Sequence, residues 1–171
     1  MIMMIKGGIL VENFRPGDRV LTRDSGFQSV AWVGARRFNP EKERPICLPR
    51  GFSADFATDR DVLLSPRHRV LRLDGRSTAC QQREETLVEA KNIAMAAPAR
   101  LLSLYPSFYV HVLFEQHQVI CADGVWVESL RPTKEMIDGL SVENHQTMVA
   151  QLPKIATLSG TDYRPARMLA A

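Results

Sequence analysis

Cysteine is scarce in this chain, and its three copies, Cys47, Cys80 and Cys121, lie far apart in the sequence. No Cys-x-x-Cys pair is present. The sequence therefore offers neither a disulfide framework nor the ligand spacing of a zinc ribbon. We expect reduced thiols, no bound metal ion and no cofactor.

Long apolar runs are also missing. The apolar N-terminal run ends at Lys6, and Arg100 and two prolines interrupt the stretch from Ile93 to His111. Nothing approaches the roughly 20 apolar residues of a membrane span, and no basic region precedes a short apolar segment as in a signal peptide. We expect no membrane partner, and a protein that is cytoplasmic or is secreted by a route without a cleaved N-terminal signal peptide.

Aromatic residues make up only 7% of the chain, and its arginines are dispersed rather than clustered. A nucleic-acid surface with stacking platforms is therefore not expected, although the net charge is +3. What the sequence does contain is 45% hydrophobic and 24% charged residues in 171 positions. This composition predicts one soluble domain that is large enough for its own core.

Short apolar segments separated by turn residues predict a mostly β fold. Asp24-Ser25-Gly26 divides two alternating segments, so residues 19–33 predict a β-hairpin. Residues 107–128 form the most strand-like stretch, and Asp123-Gly124 within it is a strong hairpin signal.

The intervening and following segments are less regular. Residues 35–61, rich in proline and charge, predict a loop with a short edge strand. Residues 61–73 predict strand, turn and strand, closed by a turn at Asp74-Gly75. Residues 86–97 fit either a short helix or a strand and turn. We predict a β domain over residues 1–133.

After residue 134 the chain changes character. The stretches 135–140 and 144–152 are compatible with helices, and a polar linker follows them. We expect residues 134–171 to form a helical and extended tail docked on the β domain, and not a second domain.

Five segments stand in an order that resembles the Hint domain, the fold shared by inteins and the autoprocessing part of hedgehog proteins, in particular its bacterial branch. The resemblance covers roughly Gly7 to Pro132. The segments are V-E-N-F-R-P-G-D-R-V-L-T at 11–22, V-A-W-V-G at 30–34, L-L-S-P-R-H-R-V at 63–70, L-V-E-A-K-N-I at 87–93 and Y-V-H-V-L-F-E-Q-H-Q-V-I-C-A-D-G at 109–124.

The resemblance implies a pseudo-twofold β fold, a horseshoe or disc of hairpins, with a short partly helical C-terminal tail. A weak internal echo between residues 11–14 and 88–93 is what a duplicated β fold would leave. In active relatives, a Cys or Ser at the first position of the domain attacks the preceding peptide bond and converts the amide into a thioester or ester. This acyl shift needs a nucleophile, a group that holds the scissile carbonyl and an acid for the departing nitrogen.

Ser65 and His68 resemble the Thr/Ser-x-x-His element of the family. By that resemblance, His68 would protonate the amide nitrogen and Ser65 would hold the backbone. Histidine suits this role because its ordinary pKa of about 6.5 lets it exchange a proton near neutral pH. The alternative is a hydroxyl that caps a proline-containing turn and a half-buried imidazole bonded to a backbone carbonyl.

His111 and His117 both fall in the last resembled segment. His117 matches the histidine there, and His111 lies near the place where other branches carry an Asp or Cys that assists proton transfer. In one regular strand the two would share a face, unless a turn at Glu115-Gln116 breaks it. The alternative is that one of these histidines is a core residue and the other is exposed.

The chain departs from the family pattern at two places. Relatives carry their nucleophile roughly twenty residues before the Val-Glu segment, and here only Met1 to Leu10 precede it, so the nucleophile has no counterpart. Glu128 and Ser129 stand where inteins end in His-Asn. We therefore expect neither C-terminal cleavage nor splicing.

Three functional hypotheses follow. The first is a member of the self-processing family that is inactive as this chain stands, whose partner would be an upstream polypeptide in cis if a longer precursor exists; whether it is an autoproteolytic enzyme stays open. The second is a non-catalytic β scaffold that acts as a protein-interaction or secretion-associated module. The third is an unrelated small β enzyme that uses His68, His111 and His117 around a metal.

Overall fold

The computed structural model describes residues 1–4, 7–38, 43–51, 60–76, 83–96, 108–157, 166 and 168–169. Its strands are β1 Ile2–Met4, β2 Gly7–Ile9, β3 Arg19–Thr22, β4 Gly26–Arg37, β5 Ile46–Leu48, β6 Val62–Leu64, β7 Arg69–Arg76, β8 Arg83–Glu89, β9 Phe108–Phe114, β10 Val119–Ala122, β11 Val125–Glu128 and β12 Met168–Leu169. Its α-helices are α1 Ala90–Ala96, α2 Lys134–Asp138 and α3 Val142–Gln151, and 3-10 turns lie at Val11–Asn13 and Pro153–Thr157. The prediction of a mostly β fold with a partly helical C-terminal tail is confirmed.

Most of these strands belong to one large sheet. Among the described residues the strand order is β12-β8-β7-β11-β10-β1-β3-β4-β9, with β2 paired to β1, while β5 and β6 form a separate antiparallel pair. Neighbours in the large sheet are antiparallel except β12, which runs parallel to β8. This order places β7 directly beside β11, so residues that are far apart in the sequence meet at the ends of these strands.

The predicted hairpin at residues 19–33 is formed by β3 and β4. Thr22 closes it, because its hydroxyl donates to the carbonyl of Gly26 at 2.7 Å and accepts from the amide of Ser25 at 3.1 Å. Gly26 has φ of +62°, a value that favours glycine. The hairpin is longer than predicted, because β4 continues to Arg37 and pairs with β9 on its other side.

The hairpin of β10 and β11 positions most of the site described below. Asp123 and Gly124 both have positive φ, +47° and +82°, as expected in the tight Asp-Gly turn that joins two such strands. The register then places Val119 opposite Glu128 at the open end of the hairpin. His117 lies two residues before Val119, so it approaches Glu128 at that same end.

The predicted turn at Asp74-Gly75 is wrong. Strand β7 runs through both residues to Arg76, which pairs with Arg83 across a shift in register. An Asp-Gly pair permits a turn but also fits a bulge, where a strand accommodates an extra residue. For residues 86–97 the sequence fits a short helix or a strand and turn. The structure contains a strand and a helix there, because β8 ends at Glu89 and α1 begins at Ala90.

In the predicted loop at residues 35–61, the short edge strand is found as β5, while residues 39–42 and 52–59 lie outside the described residues. Cys80 also lies outside the described residues. Of the two alternatives for residues 111–117, one regular strand or a break at Glu115-Gln116, the structure has the break, because β9 ends at Phe114 and Glu115 and Gln116 form a bend.

Alternating apolar side chains from the sheet fill the main core. Its buried members are Ile2, Phe14, Val20, Val30, Leu48, Val62, Leu64, Val70, Val88, Ala90, Ile93, Val112, Phe114, Ile120, Val125 and Val127. Strand β4 faces two ways across a bulge between Val30 and Trp32. Val30 therefore joins the main core, and Trp32 joins a second cluster beneath the C-terminal helices.

Helix α3 docks on strand β4, while residues 158–165, 167, 170 and 171 of the tail predicted over residues 134–171 lie outside the described residues. Trp32 packs with the buried side chain of Met148, and its indole nitrogen donates to the hydroxyl of Thr147 at 3.0 Å. The side-chain amide of Asn144 donates to the carbonyl of Ala35 at 2.9 Å. Within the described residues, no helix is both long enough and apolar enough to cross a membrane.

We expect the substitution Met148→Ala to lower the free energy of unfolding by about 2–5 kcal/mol, because it leaves a cavity beneath Trp32. The exposed Val142 on the same helix is the control, and Val142→Ala should change stability by no more than about 0.5 kcal/mol. Urea denaturation followed by tryptophan fluorescence measures both. Equal, small effects of the two substitutions would show that α3 is not part of the folded core.

Candidate active site

The turn from Ser65 to His68 joins β6 to β7 and carries the first candidate histidine. The amide of His68 donates to the carbonyl of Ser65 at 3.0 Å. Helix α1 begins against this turn: the amide of Ala90 donates to the carbonyl of His68 at 2.8 Å, and that of Lys91 to the carbonyl of Pro66 at 3.0 Å. The first amides of a helix lack partners within the helix, so the turn and α1 satisfy each other and fix the position of His68.

The imidazole of His117 is buried and held on two sides. Its Nδ1 accepts a hydrogen bond of 2.9 Å from the amide of Ala166, and its Nε2 lies 3.5 Å from Oε2 of Glu128. A nitrogen that accepts a hydrogen bond carries no proton, so the ring proton of His117 lies on Nε2, facing the carboxylate. The backbone amide of Ala166, near the C-terminus, and the carboxylate of Glu128 in β11 thus determine which ring nitrogen of His117 carries the proton.

The carboxylate of Glu128 also binds the chain next to His68. Its Oε1 accepts from the amide of Arg69 at 2.9 Å and lies 3.7 Å from Nη1 of the same residue. Nη2 of Arg69 lies 3.4 Å from Glu89, and Glu89 in turn pairs with Lys91 at 2.6 Å. A buried charge is costly unless it is paired and hydrogen-bonded, and these contacts supply that compensation for Glu128.

The surroundings of these groups shift their protonation in defined directions. Burial lowers the pKa of His68 below 6.5, and His117 and Arg69 act in the same direction, against the charge and a backbone hydrogen bond of Glu128. Burial alone would raise the pKa of Glu128, but His117, His68 and Arg69 outweigh it and the pKa lies below its ordinary value. At neutral pH the site therefore holds a carboxylate beside a neutral His68.

One ring nitrogen of His68, Nε2, is buried and has no hydrogen-bond partner among the described residues. Buried polar atoms without a partner are rare in folded proteins. A neutral imidazole with an unpartnered nitrogen can accept a proton from one group and return it to another.

His111 lies on β9, opposite Gly34 on β4. Its pKa is lowered from 6.5 to about 4, mainly by burial and in addition by Arg36 and His68, while Glu43 opposes them. Its Nε2 is also buried without a partner among the residues that the structure describes. His111 is thus within electrostatic reach of His68, but its charged neighbours, Arg36 and Glu43, are not those of the Glu128 cluster.

The four residues predicted from the sequence therefore stand in different relations. His68 and His117 come together through Glu128, which contacts both. His111 lies on β9 and interacts electrostatically with His68, and Ser65 begins the turn that carries His68. Their catalytic roles stay predictions, because position alone does not test chemistry.

Sequence reasoning missed Glu128 and Arg69 as members of the site. Glu128 had been noted only as the residue that replaces the histidine of the His-Asn pair. A signal was present in the segment Val125-Trp126-Val127-Glu128, where an acidic residue continues an apolar strand and becomes buried. A buried carboxylate usually needs a cationic or hydrogen-bonding partner, and Arg69 follows His68 directly.

The two described cysteines lie at different places in the fold. Cys121 stands two residues before the Asp123 turn, at the opposite end of the β10–β11 hairpin from His117, and Met1 contacts Asp123 at that same tip. His117 precedes Cys121 by four residues, a separation of at most roughly 13 Å along an extended chain. The thiol of Cys47 is buried and lies 3.8 Å from Asp61. Among the described residues, no group of three or more His, Cys, Asp or Glu side chains could hold a metal ion.

Comparison with known proteins adds one finding. A family model described as the Hint domain matches residues 1–134. The searches of curated proteins and of solved structures found no match. The matched residues include strands β1 to β11 and end where α2 begins.

The buried histidines predict a stability that falls in mild acid. The folded-state pKa of His111 is about 4 and the unfolded value is 6.5, so between these values the unfolded chain binds more protons and stability is lost as the pH falls. The free energy of unfolding should drop by about 2 kcal/mol between pH 7 and pH 5 from this residue alone, and burial of His68 acts in the same direction. Urea denaturation at the two pH values measures the drop.

Two substitutions identify the source of this pH dependence. His111→Gln removes the titrating group and should flatten the drop, whereas His145→Gln, at an exposed position on α3, should retain the wild-type drop. A wild-type pH dependence in His111→Gln would show that His111 is not the group responsible.

Proposed function

The chain belongs to the Hint domain family, and we propose that it retains the proton-transfer part of the self-processing site of that family. The observation that carries this proposal is the buried Nε2 of a neutral His68, which has no hydrogen-bond partner within the described part of the chain. The turn of His68 is fixed by α1 and by the carboxylate of Glu128 through Arg69. An imidazole held in one place and neutral at pH 7 is suited to accept and return a proton.

In the proposed reaction, a Cys or Ser at the start of the domain attacks the carbonyl carbon of the preceding peptide bond. A C–S or C–O bond forms and the C–N bond breaks, so the amide becomes a thioester or ester. The proton that leaves the nucleophile is taken up by Nε2 of His68 and passed to the departing nitrogen. No proton is gained or lost overall, which agrees with a histidine that begins neutral.

For the chain as given, we infer that self-cleavage does not occur. The thiol of Cys121 lies at the far end of its hairpin from His117, and burial raises its pKa, which disfavours the reactive thiolate. Cys47 is buried beside Asp61. Cys121 is therefore not placed to use His68, and the thiol of Cys47 is enclosed in the protein interior.

We expect self-cleavage to appear when a nucleophile is supplied. A reporter domain followed by a Cys-led segment of about ten to twenty residues is fused ahead of Met1; such a segment reaches roughly 30 Å or more when extended, which exceeds the distance from the hairpin tip to the histidines. Added thiol should release the reporter as a thiol adduct, because thiols attack thioesters. Intact-mass spectrometry measures the release.

Three controls define the result. His68→Ala in the fusion should slow release by about a hundredfold or more, Cys→Ala in the added segment should abolish it, and His145→Ala on the exposed face of α3 should leave it unchanged. The 171-residue chain alone should keep its intact mass in thiol. Release from the fusion that is no faster than in His68→Ala would exclude a retained site and leave the non-catalytic β scaffold as the remaining function.

A further inference from the structure

Glu128 contacts both candidate histidines, although they come from different parts of the chain. Its Oε1 binds the amide of Arg69, the residue that follows His68, at 2.9 Å. Its backbone forms a hydrogen bond with His68, and its Oε2 lies 3.5 Å from Nε2 of His117. The turn before β7 and the segment before β10 are therefore tied to one side chain at the end of β11.

We infer that Glu128 is a positioning residue that holds His68 and His117 in fixed orientations relative to each other. The catalytic meaning of this inference rests on the proposed function, but the positioning itself can be observed without any cleavage. Glu128 does not need to touch the reacting atoms in this role. It acts through the two histidines and through the backbone of Arg69.

The same contacts indicate different roles for His68 and His117. In His117, Nδ1 accepts a hydrogen bond from the amide of Ala166, and Nε2 lies at an ion-pair distance of 3.5 Å from Oε2 of Glu128. His68 keeps its Nε2 without a partner among the described residues. His68 is therefore the residue that exchanges the proton, and His117 is the ring through which Glu128 is anchored to the C-terminal tail.

Both oxygens of Glu128 are needed for this arrangement. Oε1 accepts from the amide of Arg69, while Oε2 faces the Nε2 proton of His117. In Glu128→Gln only one oxygen remains, and the new amide group would place a donor against a donor at the other position. Glu128→Gln preserves the shape of the side chain, but its single oxygen can accept from the amide of Arg69 or from the ring of His117, and not from both.

The test is nitrogen NMR of the histidine rings in the chain as given, whose mass of 19.2 kDa suits the method. In the wild-type protein, His117 should show the tautomer with the proton on Nε2. Glu128→Gln should shift the ring signals of His117 or His68, and Glu128→Ala should shift both. Glu115→Gln, which removes an exposed carboxylate two residues before His117, should leave them unchanged.

Each outcome decides the inference. A proton on Nδ1 of wild-type His117 overturns it without any variant, even if Glu128→Ala fails to fold. Unchanged ring signals in a folded Glu128→Gln protein also overturn it. A tautomer change confined to the Glu128 variants supports it, because a purely structural contribution to the core would not select the protonated nitrogen.

Cleavage of the Cys-led fusion adds a second, separate readout. Glu128→Gln should slow thiol-dependent release by about tenfold to a hundredfold, as loss of an outer orienting partner typically does, and Glu115→Gln should not. If the wild-type fusion does not cleave, the proposed function fails, and the ring signals still decide whether Glu128 positions the histidines. If the fusion cleaves and Glu128→Gln cleaves equally fast, the positioning role fails alone.

Discussion

The buried carboxylate of Glu128 is the interaction on which the rest of the site depends. A charge removed from water is tolerated only when neighbouring groups replace the lost hydration, and here a backbone amide, a guanidinium and an imidazole do so. The amide and the guanidinium belong to Arg69 at the start of β7, and the imidazole belongs to His117 before β10. Satisfying one charge therefore fixes the end of β11, the start of β7 and the segment before β10 with respect to one another, and it does so next to an imidazole that stays neutral.

Local sequence signals predicted the parts of the fold that depend on local geometry. The Asp123-Gly124 pair predicted its hairpin because both residues adopt positive φ there, and the helix-compatible stretches after residue 134 were found as α2 and α3. Asp74-Gly75 misled because the same two residues are compatible with a bulge, and strand β7 continues through them to its pairing with β8. Pairing with the neighbouring strand decides whether Asp74-Gly75 forms a turn or a bulge, and the local sequence does not specify that pairing.

The candidate site could be predicted only in part for a similar reason. His68 and His117 were identified through the resemblance of their segments to a family pattern. Glu128 was visible as an acidic residue at the end of an apolar strand, but its partners are set by the pairing of β11 with β7 and β10. The bend after Phe114 separates His111 from His117, and the amide of Ala166 reaches His117 from the far end of the chain. Such contacts depend on the order of the strands in the sheet, and the spacing of residues in the sequence does not give that order.

The twelve-residue strand β4 has a consequence for how quickly this protein can fold. Its first half pairs with β3, a neighbour across a tight turn, whereas its second half pairs with β9 after about seventy intervening residues. Proteins rich in such non-local pairings have high contact order and fold on the millisecond-to-second scale, because the entropy of closing long loops is lost before the contacts form. The β3–β4 hairpin can form early and alone. His68 and His117 come together only after the slow, long-range strand pairings have formed.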